Sequence, residues 1–169
     1  MNQSTQTLPI GTTLSNNKYR IESVIEEGGL GITYKATSLQ LGIHVAVKEL
    51  YLAAKCSRNE NQEVHVKSSL ASKRFEGYKK KFMAEGRSLA QFKHPNLIQV
   101  RDIVEENNTV YLIMDYVEDQ TLESYVEERN GLSEEEAPLS IGSIANALND
   151  VHEKGLVHKD IRPSTIRIT

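Results

Sequence analysis

The sequence has very little cysteine and no tryptophan. Its one cysteine, Cys56, cannot form a disulfide within the chain, and the residues around it, "AKCSRNE", supply no second ligand at the spacing of a metal site. This excludes a disulfide-stapled fold and predicts a reduced, cytoplasmic setting.

Long apolar runs and an excess of positive charge are also missing. The net charge of −3 gives no basic face for a phosphate backbone, which argues against nucleic acid as a partner. No apolar run approaches the roughly 20 residues of a membrane span, and the first residues lack a signal-peptide core. With 38% hydrophobic and 25% charged residues, the 169-residue chain has an ordinary globular composition. We therefore expect no membrane and no nucleic acid as partners.

Strand patterns dominate the first 117 residues. Residues 1–18 are polar and predict a flexible arm, after which "YRIESVI", "GITYKAT" and "HVAVKEL" alternate and predict an antiparallel meander. Residues 51–72 are polar and irregular, which indicates a surface insertion or a functional segment. The stretch "NLIQVRDIVEENNTVYLIMDYV" predicts a hairpin that turns at residues 106–108, with a buried second strand.

Helical spacing appears once between the strands and twice after them. The first helix places one set of residues on a single face: Phe75, Tyr78, Phe82, Glu85, Leu89 and Phe92. In residues 118–169, a short helix precedes a longer one with a second stripe: Ile141, Ile144, Ala145, Leu148 and Val151. Strands gathered first and helices later predict an α+β fold whose helical part is incomplete.

Three glycines, Gly28, Gly29 and Gly31, lie at the turn between the first two strands. Glycine lets the backbone approach a ligand closely and leaves N–H groups directed at phosphate oxygens. The alternative is that these glycines serve only the hairpin turn. The turn alone does not decide between the two.

A lysine and a glutamate form a candidate pair. Ala46 and Lys48 share one face of a strand, where Ala46 leaves room for a flat ring and Lys48 offers a charge to phosphates. Glu85 lies on an apolar stripe, so it needs a cation, and Lys48 is the nearest one expected inside. The alternatives are an exposed lysine on a strand edge and a rotated helix that leaves Glu85 in water.

The segment "HKDIRPST" brings His158, Asp160 and Arg162 into one loop. A carboxylate on a rigid loop can accept a proton from a hydroxyl nucleophile, and a nearby cation can stabilise a transferred phosphate. The alternative is a charged loop that only ends a helix.

Taken together, these motifs resemble a serine/threonine protein kinase of the bacterial type from about Tyr19 to the end of the chain. The order is a glycine-rich turn, the strand lysine of "VAVKEL", the helix glutamate of "FMAEGRSLAQF", then "HPN", "MDYVEDQTL" and the catalytic loop. The resemblance implies a kinase N-lobe at residues 19–117, consisting of an antiparallel sheet and one helix. Residues 118–169 would be the first helices and catalytic loop of an incomplete C-lobe.

The resemblance also implies ATP and Mg²⁺ as cofactors. Lys48, paired with Glu85, would bind the phosphates under the glycines, and Asp160 would be the catalytic aspartate, with Arg162 where such kinases carry lysine. The adenine pocket would use these residues: Ile25, Thr33, Ala46 and Met114 by their side chains, and Asp115 and Val117 by their backbones.

The chain departs from the family pattern at several positions. Glu26 replaces the first loop glycine, Lys159 replaces an arginine, and Thr165 stands where an asparagine should bind Mg²⁺, so it is at best a weak metal ligand. The sequence also ends before any Asp-Phe-Gly motif. We therefore expect an ATP-binding chain without kinase activity of its own. The alternatives are a pseudokinase-like module that binds a protein or itself through the uncovered helix at 139–154, and a degenerate remnant.

Overall fold

The computed structural model describes residues 6–157 and 161–168. The chain divides into two compact units. The first contains Met1–Gln91 and Ile98–Tyr116, and the second contains Phe92–Leu97 and Val117–Thr169.

The first unit contains one six-stranded antiparallel sheet, a small hairpin and one helix. In chain order the elements are β1 (Thr13–Leu14), β2 (Tyr19–Glu27), β3 (Gly31–Ser38), β4 (Ile43–Leu50), β5 (Cys56–Arg58), β6 (Val64–Val66), α1 (Ser69–Ala90), β7 (Val100–Glu106) and β8 (Thr109–Asp115). The large sheet has the order β1-β2-β3-β4-β8-β7, and β5 pairs with β6. The predicted antiparallel meander and the α+β class are confirmed.

Alternation of side chains gives the sheet a buried interior face. In β3 every second residue is buried, from Ile32 through Tyr34 and Ala36 to Ser38. The β7–β8 hairpin turns at Asn107 and Asn108, both at positive φ, as the predicted turn at 106–108 requires. These elements form because apolar and β-branched residues recur at the strand period of two.

The sheet curls until its two ends meet. β1 and β7 lie at opposite ends of the strand order, yet the Lys18 Nζ atom lies 2.7 Å from Asp102 Oδ2 and the Tyr19 hydroxyl donates to the same oxygen at 3.0 Å. The Ser15 backbone N–H also donates to Glu106 at 2.8 Å. The interior face therefore surrounds a core that side-chain hydrogen bonds close along one seam.

The segment predicted as a flexible arm and the segment predicted as a surface insertion or functional segment both pack against this core. The expected flexible arm does not describe residues 8–18, because Leu8 and Leu14 are 2% and 0% exposed and β1 pairs with β2. In the polar segment 51–72, Cys56 and Val64 are buried in the same core. In both segments a few isolated apolar residues anchor an otherwise polar stretch in the core. A search for long apolar patterns overlooks such single residues.

Helix α1 begins at a Ser68 cap, whose hydroxyl accepts a hydrogen bond from the Ala71 N–H at 3.2 Å. Phe75 and Gly86 are its buried residues. The predicted stripe is therefore correct at Phe75 but wrong at Glu85, which is exposed. It is also wrong at Phe92, which lies after the helix and in the second unit.

The second unit contains α2 (Leu122–Arg129), α3 (Glu136–Glu153) and a 3-10 turn (Pro163–Thr165). Tyr125 donates to Glu136 at 2.6 Å, and this hydrogen bond with those from Ser133 lowers the pKa of Glu136 to about 2. In α3, Val151 is buried, whereas Ile141 of the predicted stripe is 64% exposed. Across the described ranges, no helix has the length and apolar character to cross a membrane.

Candidate functional site

The outer face of the central strands holds most of the predicted nucleotide residues. The strand register places Thr33 opposite Lys48 and Ala46 opposite Met114, with Leu112 on the other side of Lys48. Residues directly opposite in antiparallel strands point to the same face. The structure therefore brings four predicted residues onto one surface across β3, β4 and β8.

The glycine turn connects β2 and β3 at the end of this surface. The Gly28 N–H donates to the Gly31 carbonyl at 2.8 Å. A side chain at Gly31 would lie 2.6 Å from the backbone oxygen of Glu49, whereas a side chain at Gly29 would meet no atom within 4 Å. Close packing between strands thus requires glycine at residue 31, and the fold leaves open space at residue 29.

Two further predicted residues lie in β2 just before the turn. Ile25 is 37% exposed, and Glu26 pairs across the ladder with Thr33. The ladder between β2 and β3 shifts register between Val24 and Glu26, so the residue that replaces a loop glycine lies next to an irregularity in the strand pairing.

Lys48 and Glu85 are not paired in this structure. Both residues are exposed, and within the described ranges no ion pair or side-chain hydrogen bond joins them. The rotated-helix alternative describes α1, since Glu85 lies at the edge of its buried face. The Lys48 charge is thus available on the outer face.

A missed residue, Gly86, explains this rotation. A side chain at Gly86 would lie 2.4 Å from Leu112 Cδ2 and 3.2 Å from Ile103 Cδ1. The absence of a side chain lets α1 approach β7 and β8 through Gly86, and this leaves its neighbour Glu85 outside the contact. A glycine within a long amphipathic helix was the available sequence signal.

The interior face of β4 carries a second charge that sequence reasoning also missed. Glu49, next to Lys48, is 0% exposed, and its carboxylate accepts hydrogen bonds from Arg58 at 2.8 and 2.9 Å. The hydroxyls of Tyr34 and Tyr111 donate to it at 2.7 and 3.1 Å. Strand alternation after Val45 and Val47 puts residue 49 inside, and that was the signal available.

Burial governs the protonation of this cluster. Burial raises the pKa of Glu49, although the Arg58 charge and the hydrogen bonds oppose the rise. Burial alone would lower the pKa of Arg58, but the attraction of Glu49 outweighs it and the pKa is raised. Desolvation and the Glu49 charge also raise the pKa values of Tyr34 and Tyr111. Both tyrosines therefore remain hydrogen-bond donors at ordinary pH.

Arg58 has partners for its whole guanidinium group. Its Nε and Nη2 atoms donate to the Gln6 carbonyl at 3.1 and 2.9 Å, and Nη1 donates to the Gln62 carbonyl at 2.9 Å. The guanidinium carbon also lies 5.3 Å from the centre of the Tyr51 ring. Arg58 therefore joins the N-terminal segment and the β5–β6 hairpin to the interior face of β4.

The end of β8 holds the residues predicted to meet the adenine edge. The Asp115 carboxylate accepts from Arg101 at 2.6 and 2.9 Å, and the Asp115 backbone N–H donates to the Gln99 carbonyl at 3.0 Å. Asp115 thus ends β8 with its side chain and N–H engaged. Val117 belongs to the second unit.

The catalytic-loop residues lie in the second unit. The Thr165 hydroxyl accepts from the Arg162 N–H at 3.2 Å and donates to the Arg162 carbonyl at 3.0 Å, so it closes a local turn. His158, Lys159 and Asp160 lie outside the described residues. Within the residues that are described, no group of three or more His, Cys, Asp or Glu is placed to hold a metal ion.

Comparison with known sequences identifies the family. A profile described as Protein kinase domain matches residues 51–169. A probable serine/threonine-protein kinase of Clostridium acetobutylicum is 33% identical over 160 residues, 95% of this chain and 22% of the relative. The serine/threonine-protein kinase PknA of Mycobacterium tuberculosis is 33% identical over 95% of this chain and 34% of its own length. The chain thus spans about a fifth to a third of these curated relatives.

Comparison with solved structures shows proteins with a similar fold. The structure titled "PpkA-294 apo form" superposes with a TM-score of 0.87 at 29% identity, covering 98% of this chain and 58% of that one. The PknI kinase domain of Mycobacterium tuberculosis has a TM-score of 0.71 at 22% identity, covering 96% of this chain and 58% of its own, which shows likeness of fold alone. Because the profile matches more than half of the chain, the chain belongs to the protein kinase domain family.

Proposed function

We propose that the chain is the ATP-binding part of a bacterial-type serine/threonine protein kinase. The family reaction is transfer of the ATP γ-phosphate to a protein hydroxyl. The observation that carries the proposal is the common outer face of Thr33, Ala46, Lys48 and Met114, which lies beside the glycine turn.

The residues of this face suit the parts of a nucleotide. Ala46 has a short side chain, which suits the placement of a flat adenine ring against β4. Lys48 presents a charge to the phosphates that no described carboxylate neutralises. The open space at Gly29 allows the turn to lie close to the triphosphate. We infer that Glu85 pairs with Lys48 when nucleotide binds, which requires α1 to rotate.

Thr165, the residue at the predicted metal position, suits Mg²⁺ less well than the outer face suits a nucleotide. Mg²⁺ prefers carboxylate oxygens and water, whereas the Thr165 hydroxyl already closes a turn with the Arg162 backbone. Thr165 therefore does not fit the role of a metal ligand. Asp160 remains the proposed proton acceptor, with Arg162 as the nearby cation. Because these 169 residues contain no Asp-Phe-Gly motif, we propose that they bind ATP without transferring phosphate.

A binding experiment tests this function. ATP should raise the melting temperature of the chain, since a ligand that binds only the folded state stabilises it. Lys48→Ala should abolish the rise, whereas Lys55→Ala, the same change at an exposed lysine outside the face, should retain it.

The opposite results would reject the proposal. An unchanged melting temperature at millimolar ATP would mean that the outer face does not bind nucleotide. Equal binding by wild type and Lys48→Ala would place any nucleotide site elsewhere. Phosphorylation of a generic protein substrate by the pure chain, lost in Lys48→Ala, would overturn the proposed lack of transfer.

A further inference from the structure

We propose that Arg58 is a positioning residue for the nucleotide site, acting through Glu49. The inference rests on the proposed ATP-binding function. It assigns a role to the segment 51–72, which the sequence left as either a surface insertion or a functional segment, because Arg58 is the last residue of β5 in that segment.

The Arg58–Glu49 pair is isolated from water. The two side chains are 2% and 0% exposed, and the Arg58 Nη2 atom lies within 2.9 Å of both carboxylate oxygens. A buried charge pair of this kind has directional bonds that fix the relative position of the chains carrying it. The β5 strand and β4 are therefore locked together at residue 49.

Glu49 lies between the two elements proposed to bind phosphate, which are Lys48 and the glycine turn. Its peptide neighbour is Lys48, which points to the opposite face. Its backbone oxygen would lie 2.6 Å from a side chain at Gly31, so the end of the glycine turn rests on it. A shift of Glu49 would thus move Lys48 and Gly31.

Side chains of two further strands, β3 and β8, also form hydrogen bonds with Glu49. Tyr34 reaches it from β3 and Tyr111 from β8, at 2.7 and 3.1 Å. The Asn107 side chain donates to the Tyr111 hydroxyl at 2.9 Å, so the tyrosine is itself oriented. Glu49 is accordingly the point where β3, β4, β5 and β8 are fixed relative to one another.

A buried ion pair gives little net stability compared with apolar residues of similar volume, because both charges lose their water. Apolar side chains at 49 and 58 would fill the core as well, but they would not fix β4 by directional bonds. The role that distinguishes the pair is precise placement of the strand that carries Lys48.

A variant series separates placement from stability. Arg58→Met removes the charge at similar size, and Arg58→Lys keeps the charge but not the fork of donors. Leu52→Ala is the matched control. Leu52 lies in the same segment and the same core and is 5% exposed, but its apolar side chain forms no ion pair with Glu49. ATP dissociation constants are measured calorimetrically at a temperature where every variant is folded.

We expect Arg58→Met to weaken ATP binding at least tenfold, Arg58→Lys to weaken it less, and Leu52→Ala to change it less than threefold at a similar loss of stability. ATP binding by Arg58→Met as tight as that by Leu52→Ala would overturn the positioning role while leaving the ATP site intact. If Arg58→Met does not fold, the comparison of Arg58→Lys with Leu52→Ala decides in the same way.

Hydrogen exchange provides a test that does not need nucleotide. In Arg58→Met, or in Arg58→Lys where it alone folds, amide protection should fall selectively where Gly31 and Thr33 pair with β4, and remain at the other end, where Ser38 pairs with Ile43. In Leu52→Ala the loss should be even along the ladder. A wild-type chain that fails to bind ATP rejects the proposed function, whereas an even exchange pattern in the Arg58 variant rejects the positioning role.

Discussion

Strand β4 carries two charged residues side by side that have opposite surroundings. Lys48 is exposed on the outer face, with no ion pair to any described residue, whereas Glu49 is fully buried and accepts hydrogen bonds from three side chains. Alternation along a strand sends neighbours to opposite faces, so one strand serves both the core and the candidate site.

The contrast between these faces separates a charge that the fold needs from a charge that a ligand can use. Water cannot reach Glu49, so every acceptor position on it must be satisfied by protein. The Lys48 charge is hydrated, and hydration can be exchanged for a phosphate at little cost in folding free energy. Mutations on the interior face should therefore change stability, and those that displace β4 should also weaken binding, whereas mutations on the outer face should change binding with little effect on stability.

The largest expected effect is the loss of the interior cation. Arg58→Met leaves Glu49 buried without its charge partner, and we expect a loss of about 3–5 kcal/mol in the free energy of unfolding measured by urea titration. The folded variant would hold Glu49 protonated, with a pKa above that of the unfolded chain. The pKa of Glu49 is already raised in the wild-type fold, so the destabilisation relative to wild type should be smallest at acid pH and grow as the pH rises above that folded wild-type pKa.

The double variant Arg58→Met with Glu49→Gln is the control for this charge effect. Tyr34 and Tyr111 donate to different oxygens of Glu49, so glutamine keeps an acceptor for only one of them. Because glutamine carries no charge, the double variant should still be more stable than Arg58→Met alone at neutral pH. If the double variant were less stable than the single one, the cost would come from lost packing and not from an uncompensated charge.

Gly31→Ala should have the next largest effect, because Gly31 packs closely against the backbone of Glu49 in the neighbouring strand. The added carbon would lie 2.6 Å from the Glu49 backbone oxygen, so β3 or β4 must shift. We expect a loss of about 1–3 kcal/mol on urea unfolding. Gly29→Ala, where no atom lies within 4 Å, should change stability by less than about 0.5 kcal/mol. Equal losses in both variants would contradict the packing role assigned to Gly31.

The sequence predicted the sheet and the outer face well because both follow from local patterns. Alternation located β2, β3 and β4, and the same alternation put Ala46 and Lys48 on one face. The position of α1 was not predictable in this way, because a close approach at Gly86 outweighed the apolar stripe that included Glu85. The partner of Glu49 was also hidden, since Arg58 comes from a polar segment without periodicity.

Asp102→Asn should have a moderate effect that depends on pH. Partial burial alone would raise the pKa of Asp102, but hydrogen bonds from Lys18 and Tyr19 outweigh it and lower the pKa. The carboxylate therefore stabilises the seam of the curled sheet above its unfolded pKa, and this stability is lost as the pH falls through the folded pKa. We expect Asp102→Asn to lose about 1 kcal/mol at neutral pH, from the hydrogen bonds and partly exposed ion pair.

Urea titrations of wild type and Asp102→Asn across pH 2 to 7 test this dependence. The two stability curves should begin to converge below about pH 4, where the unfolded carboxyl becomes protonated, and should meet only below the lowered folded pKa of Asp102. A difference that stays constant down to the lowest pH would mean that the seam depends on shape and neutral hydrogen bonds rather than on the ionised carboxylate.

Glu85→Gln on the outer face should have the smallest effect on stability. Glu85 is exposed and makes no ion pair with the described residues, so its charge should contribute less than about 0.5 kcal/mol to the free energy of unfolding without ligand. If Glu85 pairs with Lys48 only when nucleotide binds, the same variant should weaken ATP binding clearly. Glu76→Gln, the same change at another exposed glutamate of α1, which removes an ion pair with the partly buried Lys79, should leave ATP binding unchanged. A clear loss of unfolding free energy in Glu85→Gln without ATP would mean that the pair already forms in the free chain, and the contrast between the two faces of β4 would then be smaller than this structure indicates.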